Sequence, residues 1–305
     1  MDPQPAHKIK LDDTFGAALI GAIVSAMMYG ITNLQTYFYY MTYPKDSLQN
    51  KLLVCAVWVL DTLQMALVSL SIYHYLVTNY SNPAALAIGH WSLFASIAVN
   101  VTIAVISQCY FTVRIYRLCS ERWRLWVTTF IALVVIAHFA LGIETVVFMF
   151  IKKEFIKLAD ITLVAAMPFA LFAVLSDIFV AVALCILLHG SRTGMRSTNA
   201  LISTLIIYAI NRCLLTSVVA IVEVIVFAAA PKSLWFVGID FVIGKLYANS
   251  LLATLNSRNA VRDANTSSIN TVKFSSMRSS DPSVGISAAE SVKTCCSPAV
   301  GTIWL

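Results

Sequence analysis

Five residues in an otherwise greasy chain are of types that can do chemistry: Asp61, Asp177, Arg212, Lys245 and Asn249. Counted along a helix at about 1.5 Å per residue, the four ionisable ones fall near the middle of long apolar runs. A charge at mid-bilayer costs about 2.5–3.5 kcal/mol on insertion scales, so those that persist should face inward and find partners. Two acids can meet two bases. Polar neighbours recur at helical spacing: Lys245, Asn249 and Asn256; Tyr208, Arg212, Thr216 and Glu223; Asp61, Gln64, Ser71 and Tyr75. Each set shares one helical face. The expectation is a buried polar layer that holds a ligand or ion, or that only fixes helix register. Glu144 and Asp240 are expected nearer the outer surface, in reach of water, and His138 as a packing or hydrogen-bonding residue.

Catalysis finds no such support. The histidines at 7, 74, 90, 138 and 189 never approach ligand spacing, and no G-x-S-x-G elbow, Walker loop or H-E-x-x-H occurs. No catalytic residue, metal or cofactor is expected, and the chain is read as a non-enzyme. Lys245 invites a retinal Schiff base, but residues 91–115 hold no acidic counterion and Asp240, five positions earlier, lies on another face. The stretch YFTVRIYRL lacks the acidic-Arg-Tyr signature of G-protein-coupled receptors, and the last apolar run lacks N-P-x-x-Y.

The elements that must position these residues follow from composition. The chain is 59% hydrophobic and 12% charged, against about 25% charged in soluble domains. Apolar runs at about 14–40, 52–76, 91–115, 125–150, 161–188, 200–228 and 234–256 each have the length a membrane helix needs. They predict an all-α integral membrane bundle of seven transmembrane helices at 14–257, after a short outer tail, 1–13, and before a disordered, Ser/Thr-rich tail, 258–305. The first run is too long for a signal-peptide core and is expected to remain as an anchor.

Seven crossings put six basic residues (Lys8, Lys10, Lys152, Lys153, Lys157 and Lys232) on one side. The other side holds ten: Lys45, Lys51, Arg114, Arg117, Arg122, Arg124, Arg192, Arg196, Arg258 and Arg262. The richer side is predicted cytoplasmic, with the N-terminus outside and the C-terminus inside. Asn79-Tyr80-Ser81 is then an outer sequon and Asn79 a glycosylation acceptor. The cysteines, at 55, 109, 119, 185, 213, 295 and 296, suggest no disulfide framework. Arg114 to Arg124, interleaved with Tyr116 and Trp123, reads as an interfacial belt on anionic lipid rather than a nucleic-acid surface. In the tail, Arg278-Ser279-Ser280 offers a phosphorylation site and Cys295-Cys296 an acylation site.

Four stretches in order, IYHYLVTNY, QCYFTVRIYRL, SRTGMRSTNALISTLIIYAINRCLLTS and GKLYANSLLATLNSR, resemble an uncharacterised fungal seven-helix membrane family, domain of unknown function 6534. The resemblance spans about residues 14–260. It implies a seven-helix integral membrane protein of the kind found as expanded sets in mushroom-forming fungi, and no ligand, activity or catalytic residue. The functional expectation is a receptor-like sensor of a small or lipidic ligand, in a plasma membrane or endomembrane. Its pocket would be bordered by the second, fifth, sixth and seventh helices, and its basic loops and tail would meet a cytoplasmic effector. The alternatives are a transporter or channel with an intramembrane charged pathway, and a structural or scaffolding membrane protein.

Overall fold

The computed structural model describes residues 15–80, 82, 88–153, 165–190, 196–229 and 235–278; side chains at 190, 196–206, 208, 209, 212, 227, 228 and 259–278 lie outside the description. Within it stand seven long helices: α1 (Ala17–Thr42), α2 (Leu48–Tyr73), α3 (Trp91–Leu118), α4 (Glu121–Lys152), α5 (Met167–Gly190), α6 (Arg196–Ala229) and α7 (Trp235–Arg278). No strand forms among the described residues. Six of the helices are long and apolar enough to cross a membrane; in α6 the apolar part measured is Cys213–Val226. The protein is an all-helical, multi-pass membrane protein.

Local chemistry sets the helix ends. Ser47 opens α2 by accepting from the Asn50 amide at 3.4 Å, and His90 opens α3 by accepting from the Ser92 amide at the same distance. A π-helical turn, His74–Thr78, prolongs α2. Lys153 closes α4 with a left-handed φ of 56° and an N–H bond to the Met149 carbonyl. Helices α3 and α4 overrun their apolar stretches because Arg114, Arg117, Arg122 and Arg124 sit on helix ends, where long stems carry the charge toward the interface. Likewise α7 extends to Arg278, although its membrane-crossing part is Trp235–Arg258. By contacts the chain divides into two units, Met1–Arg262, which holds the bundle, and Asp263–Leu305, helical as far as Arg278.

Each helix packs on its sequence neighbours from α1 to α4 and from α4 to α6, and α3 also packs on α5. Burial locates the centre: 67% of the apolar window of α7 and 61% of that of α3 is enclosed, against 28% to 39% in the other crossing helices. Large apolar side chains such as Trp126 and Met27 are exposed on the outside, as a lipid-facing surface requires. The interior is split. One apolar cluster gathers Phe94, Val146, Phe236 and Phe241; another gathers Val57, Ile103, Val135 and Leu251. Between them lie the buried polar positions, found on all seven helices, among them Ser25, Asp61, Asn100, His138, Asp177, Thr216 and Lys245.

Close approach of α1 and α7 depends on two glycines. A Cβ on Gly21 would fall on the Gly238 backbone, and one on Gly238 would meet the Ala17 carbonyl at 2.7 Å. Gly30, in the same helix as Gly21, has nothing within 4 Å of such a Cβ. Gly21→Leu is therefore expected to destabilise the bundle by about 1–3 kcal/mol or more, read as a lower unfolding midpoint in nanodiscs. Gly30→Ala should leave the midpoint unchanged or raise it; equal losses from both would show that the helices do not approach as described.

Candidate functional site

Lys245 of α7 and Asp61 of α2 are both fully buried, and the ammonium lies 2.8 Å from the Asp61 carboxylate. It also donates to the Asp61 backbone carbonyl at 2.9 Å. The Tyr29 ring of α1 lies 5.1 Å from the ammonium, within cation–π reach, and its hydroxyl meets Thr62 at 2.9 Å. One turn beyond Lys245, Asn249 donates to the Met28 carbonyl at 3.2 Å and accepts from Thr32 at 3.3 Å. Asn256 continues the same face, donating to the Gln35 carbonyl at 2.8 Å. This face of α7 thus ties α1 to α2 through charge and amide chemistry.

Asp177 of α5 is the second centre. Its Oδ2 accepts from Thr216 of α6 at 2.6 Å and from Tyr247 of α7 at 2.8 Å. Gln108 of α3 donates to its Oδ1 at 3.3 Å and to Ser176 at 2.6 Å. The Gln108 carbonyl oxygen in turn accepts from Nδ1 of His138 in α4 at 3.0 Å, and the imidazole stacks on Phe169 at 5.2 Å. Among the described residues, neutral donors from three helices reach this carboxylate. The side chain of Arg212, the second base expected in the layer, lies outside the described residues. The structure brings Asp61, Lys245 and Asn249 together and sets Asp177 in a separate cluster.

A cavity of about 90 Å³ opens between α3, α4, α5, α6 and α7, with Asn100, His138, Thr145, Glu223, Asp240 and Tyr247 on its polar wall. Water occupies about 30 Å³ per molecule, so this space suits a compact group. The expected border differs: α2 does not line it, and α3 and α4 do. Asp240 is also not at the surface. It is 9% exposed, because Asn100 of α3 donates both to its carboxylate, at 3.0 Å, and to its backbone carbonyl, at 2.8 Å. Gly244 makes room for that asparagine, since a Cβ there would fall on the Asn100 amide. Glu144, by contrast, is exposed.

The two ends of the bundle carry further polar contacts. At one, Asp46 of the α1–α2 turn pairs with Arg258 of α7, accepts from the Tyr39 hydroxyl at 2.7 Å and from the Ser47 amide at 2.8 Å. Burial pushes the Asp46 carboxyl up, but the bonds from Arg258, Tyr39, Ser47 and Asn50 outweigh it and hold the group well below the ordinary value of 3.8. Arg258 also lies over the Tyr43 ring at 4.7 Å. At the other end His74 and His90 stack at 4.0 Å; burial, then the charge of His74, lowers the His90 value. Asn79 donates its amide to the His74 carbonyl at 3.1 Å, while Ser81 of its sequon lies outside the described residues. So do Ser279, Ser280, Cys295 and Cys296; the five described cysteines are free.

With an all-helical membrane bundle and a buried polar layer established, comparison with known proteins adds one finding. A family model described as "Family of unknown function (DUF6534)" matches residues 173–260, which hold most of α5, all of α6 and the crossing part of α7. No curated protein and no solved structure matches the chain. Among the described residues no group of three or more His, Cys, Asp or Glu is placed to hold a metal ion.

Sequence spacing singled out one polar face of α7 and missed the other. Asp240, Gly244 and Tyr247 stand at i, i+4 and i+7, on one helical face as Lys245, Asn249 and Asn256 are on another. A glycine and a tyrosine do not register as polar, which hid the pattern. Gln108 had no charged neighbour in sequence to mark it.

Two measurements check these contacts. Removing either partner of a buried pair costs about 3–5 kcal/mol, whereas replacing both by apolar groups of similar size is nearly neutral. Lys245→Met and Asp61→Leu should each lower the unfolding midpoint sharply, and the double variant should recover most of the loss; additive losses would rule out a coupled pair. Asp46 has a depressed folded-state value, so its contribution is complete above about pH 4 and is lost as pH falls further. The midpoint should drop in that acid range for the unaltered protein and much less for Asp46→Asn.

Proposed function

We propose that the protein is a seven-span, receptor-like sensor of a small or lipidic ligand bound in the intramembrane cavity. One observation carries the reading: two cavity-lining side chains report to the same buried carboxylate. Tyr247 bonds Asp177 directly, and His138 reaches it through Gln108. A ligand that displaces either side chain exchanges hydrogen bonds at Asp177, where α3, α5, α6 and α7 meet, and so biases their packing. The seventh span in this reading is α6, whose 34 residues are long enough to cross. The basic-residue count supports an outer N-terminus and a cytoplasmic tail that, with the basic loops, would meet an effector. Lipid surrounds the exposed apolar faces, the host being a plasma membrane or endomembrane, and the reading calls for no catalysis.

A transporter or channel is the second reading, favoured by five acidic or basic groups inside the bundle: Asp61, Asp177, Lys245, Glu223 and Asp240. The experiments separate the two. Protein in nanodiscs made from its native membrane is expected to carry a small molecule in native mass spectra, and Ala220→Phe, which fills the cavity from α6, should release it. Identical spectra for both would sink the sensor reading. Proteoliposome currents or flux abolished by Asp61→Asn would establish transport in its place.

A further inference from the structure

Within that reading, we infer that the cavity takes an organic ammonium cation with a compact apolar body, held by Asp240 and Glu223. Both acids line the cavity, Asp240 from α7 and Glu223 from α6. Asp240 is 9% exposed and spends only Oδ2 on Asn100, leaving Oδ1 without a hydrogen bond among the described residues. Glu223 makes no hydrogen bond or ion pair among them. The lining contains no lysine or arginine. Two acids facing one cavity repel each other when ionised, and only Asp240 receives a hydrogen bond, so a cation between them relieves a cost that the protein's described residues leave in place.

The rest of the wall decides which kind of cation. A hard metal ion needs six or more oxygen ligands. Here the Thr145 hydroxyl is committed to the Leu141 carbonyl at 2.8 Å and the Tyr247 hydroxyl to Asp177. The remaining wall is mostly apolar, with the rings of Phe169, Phe236 and Tyr247. Aromatic faces attract ammonium groups, alkylated ones included, and apolar walls suit their carbon substituents. The same faces offer little to a phosphate or a carboxylate, which the two acids would repel.

Three probes of similar size test the charge: n-butylammonium, n-butanol and butyrate, titrated into the full-length protein in nanodiscs and followed by calorimetry and unfolding midpoint. Butylammonium is expected to bind most tightly and butyrate not at all. Glu223→Gln and Asp240→Asn should each weaken butylammonium about thirtyfold or more, as loss of a desolvated charge partner does, and leave butanol unchanged. Ala220→Phe should abolish both. If butanol binds as well as butylammonium and neither acid matters, the cavity binds ligands without regard to charge, and this inference fails while the sensor reading stands. If all three probes bind equally to the protein and to Ala220→Phe, the cavity is not the site and both fail. An acid variant that loses thermal stability without probe is judged by its butanol affinity, which reports an intact cavity.

Discussion

Hydrocarbon cannot solvate an ion, and the bundle is arranged around that constraint. Lys245 and Asp61 meet at 2.8 Å with no exposure at all. Lipid on one side would leave each group to find water by snorkelling or to lose its charge. Enclosure by α1, α2 and α7 removes both routes, so each group depends on the other. That dependence explains the central position of α7, which carries a buried lysine, a buried acid and two side-chain amides on a helix that would otherwise face lipid. Small residues make the enclosure feasible. Gly238 lets α1 approach, Gly244 admits Asn100, and Ala248 is fully buried.

The polar layer also divides the apolar interior into two clusters, and the division has a mechanical meaning. Close-packed apolar clusters deform little, whereas hydrogen bonds between them can exchange partners without opening a void. Asp177 accepts from α3, α6 and α7 at once. In the proposed sensor, movement of Tyr247 or His138 would reach α3, α5, α6 and α7 through this carboxylate. A layer serving only as glue would need no cavity beside it; here two of the side chains that line the cavity are also members of the network.

Much of this was legible in the sequence, and the reason differs by residue. The long apolar runs gave the helices, because backbone groups in lipid must satisfy themselves within a segment. Asp61 and Lys245 could be picked out because charge in an apolar run is costly whatever the fold. Their pairing could not be read, since two acids and two bases allow more than one match. The cavity was misplaced toward α2 because the strongest sequence signals, the ionised residues, mark where charge is already neutralised. Its wall is built instead from Asn100, Thr145 and Tyr247, residues unremarkable one at a time, and from space between helices, which leaves no mark on sequence.

This separation of ion-paired from unpaired groups assigns different work to the two faces of α7. The face of Lys245, Asn249 and Asn256 is spent on α1 and α2: each side chain has a partner whose removal strands a buried polar group. The face of Asp240, Gly244 and Tyr247 turns to α3, α5 and the cavity, where one carboxylate oxygen has no hydrogen bond among the described residues. Helical geometry makes this possible, because five positions between Asp240 and Lys245 rotate them by about 140°. The first face fixes where α7 stands. The second is then free to present to the cavity an acid without an ion-pair partner among the described residues.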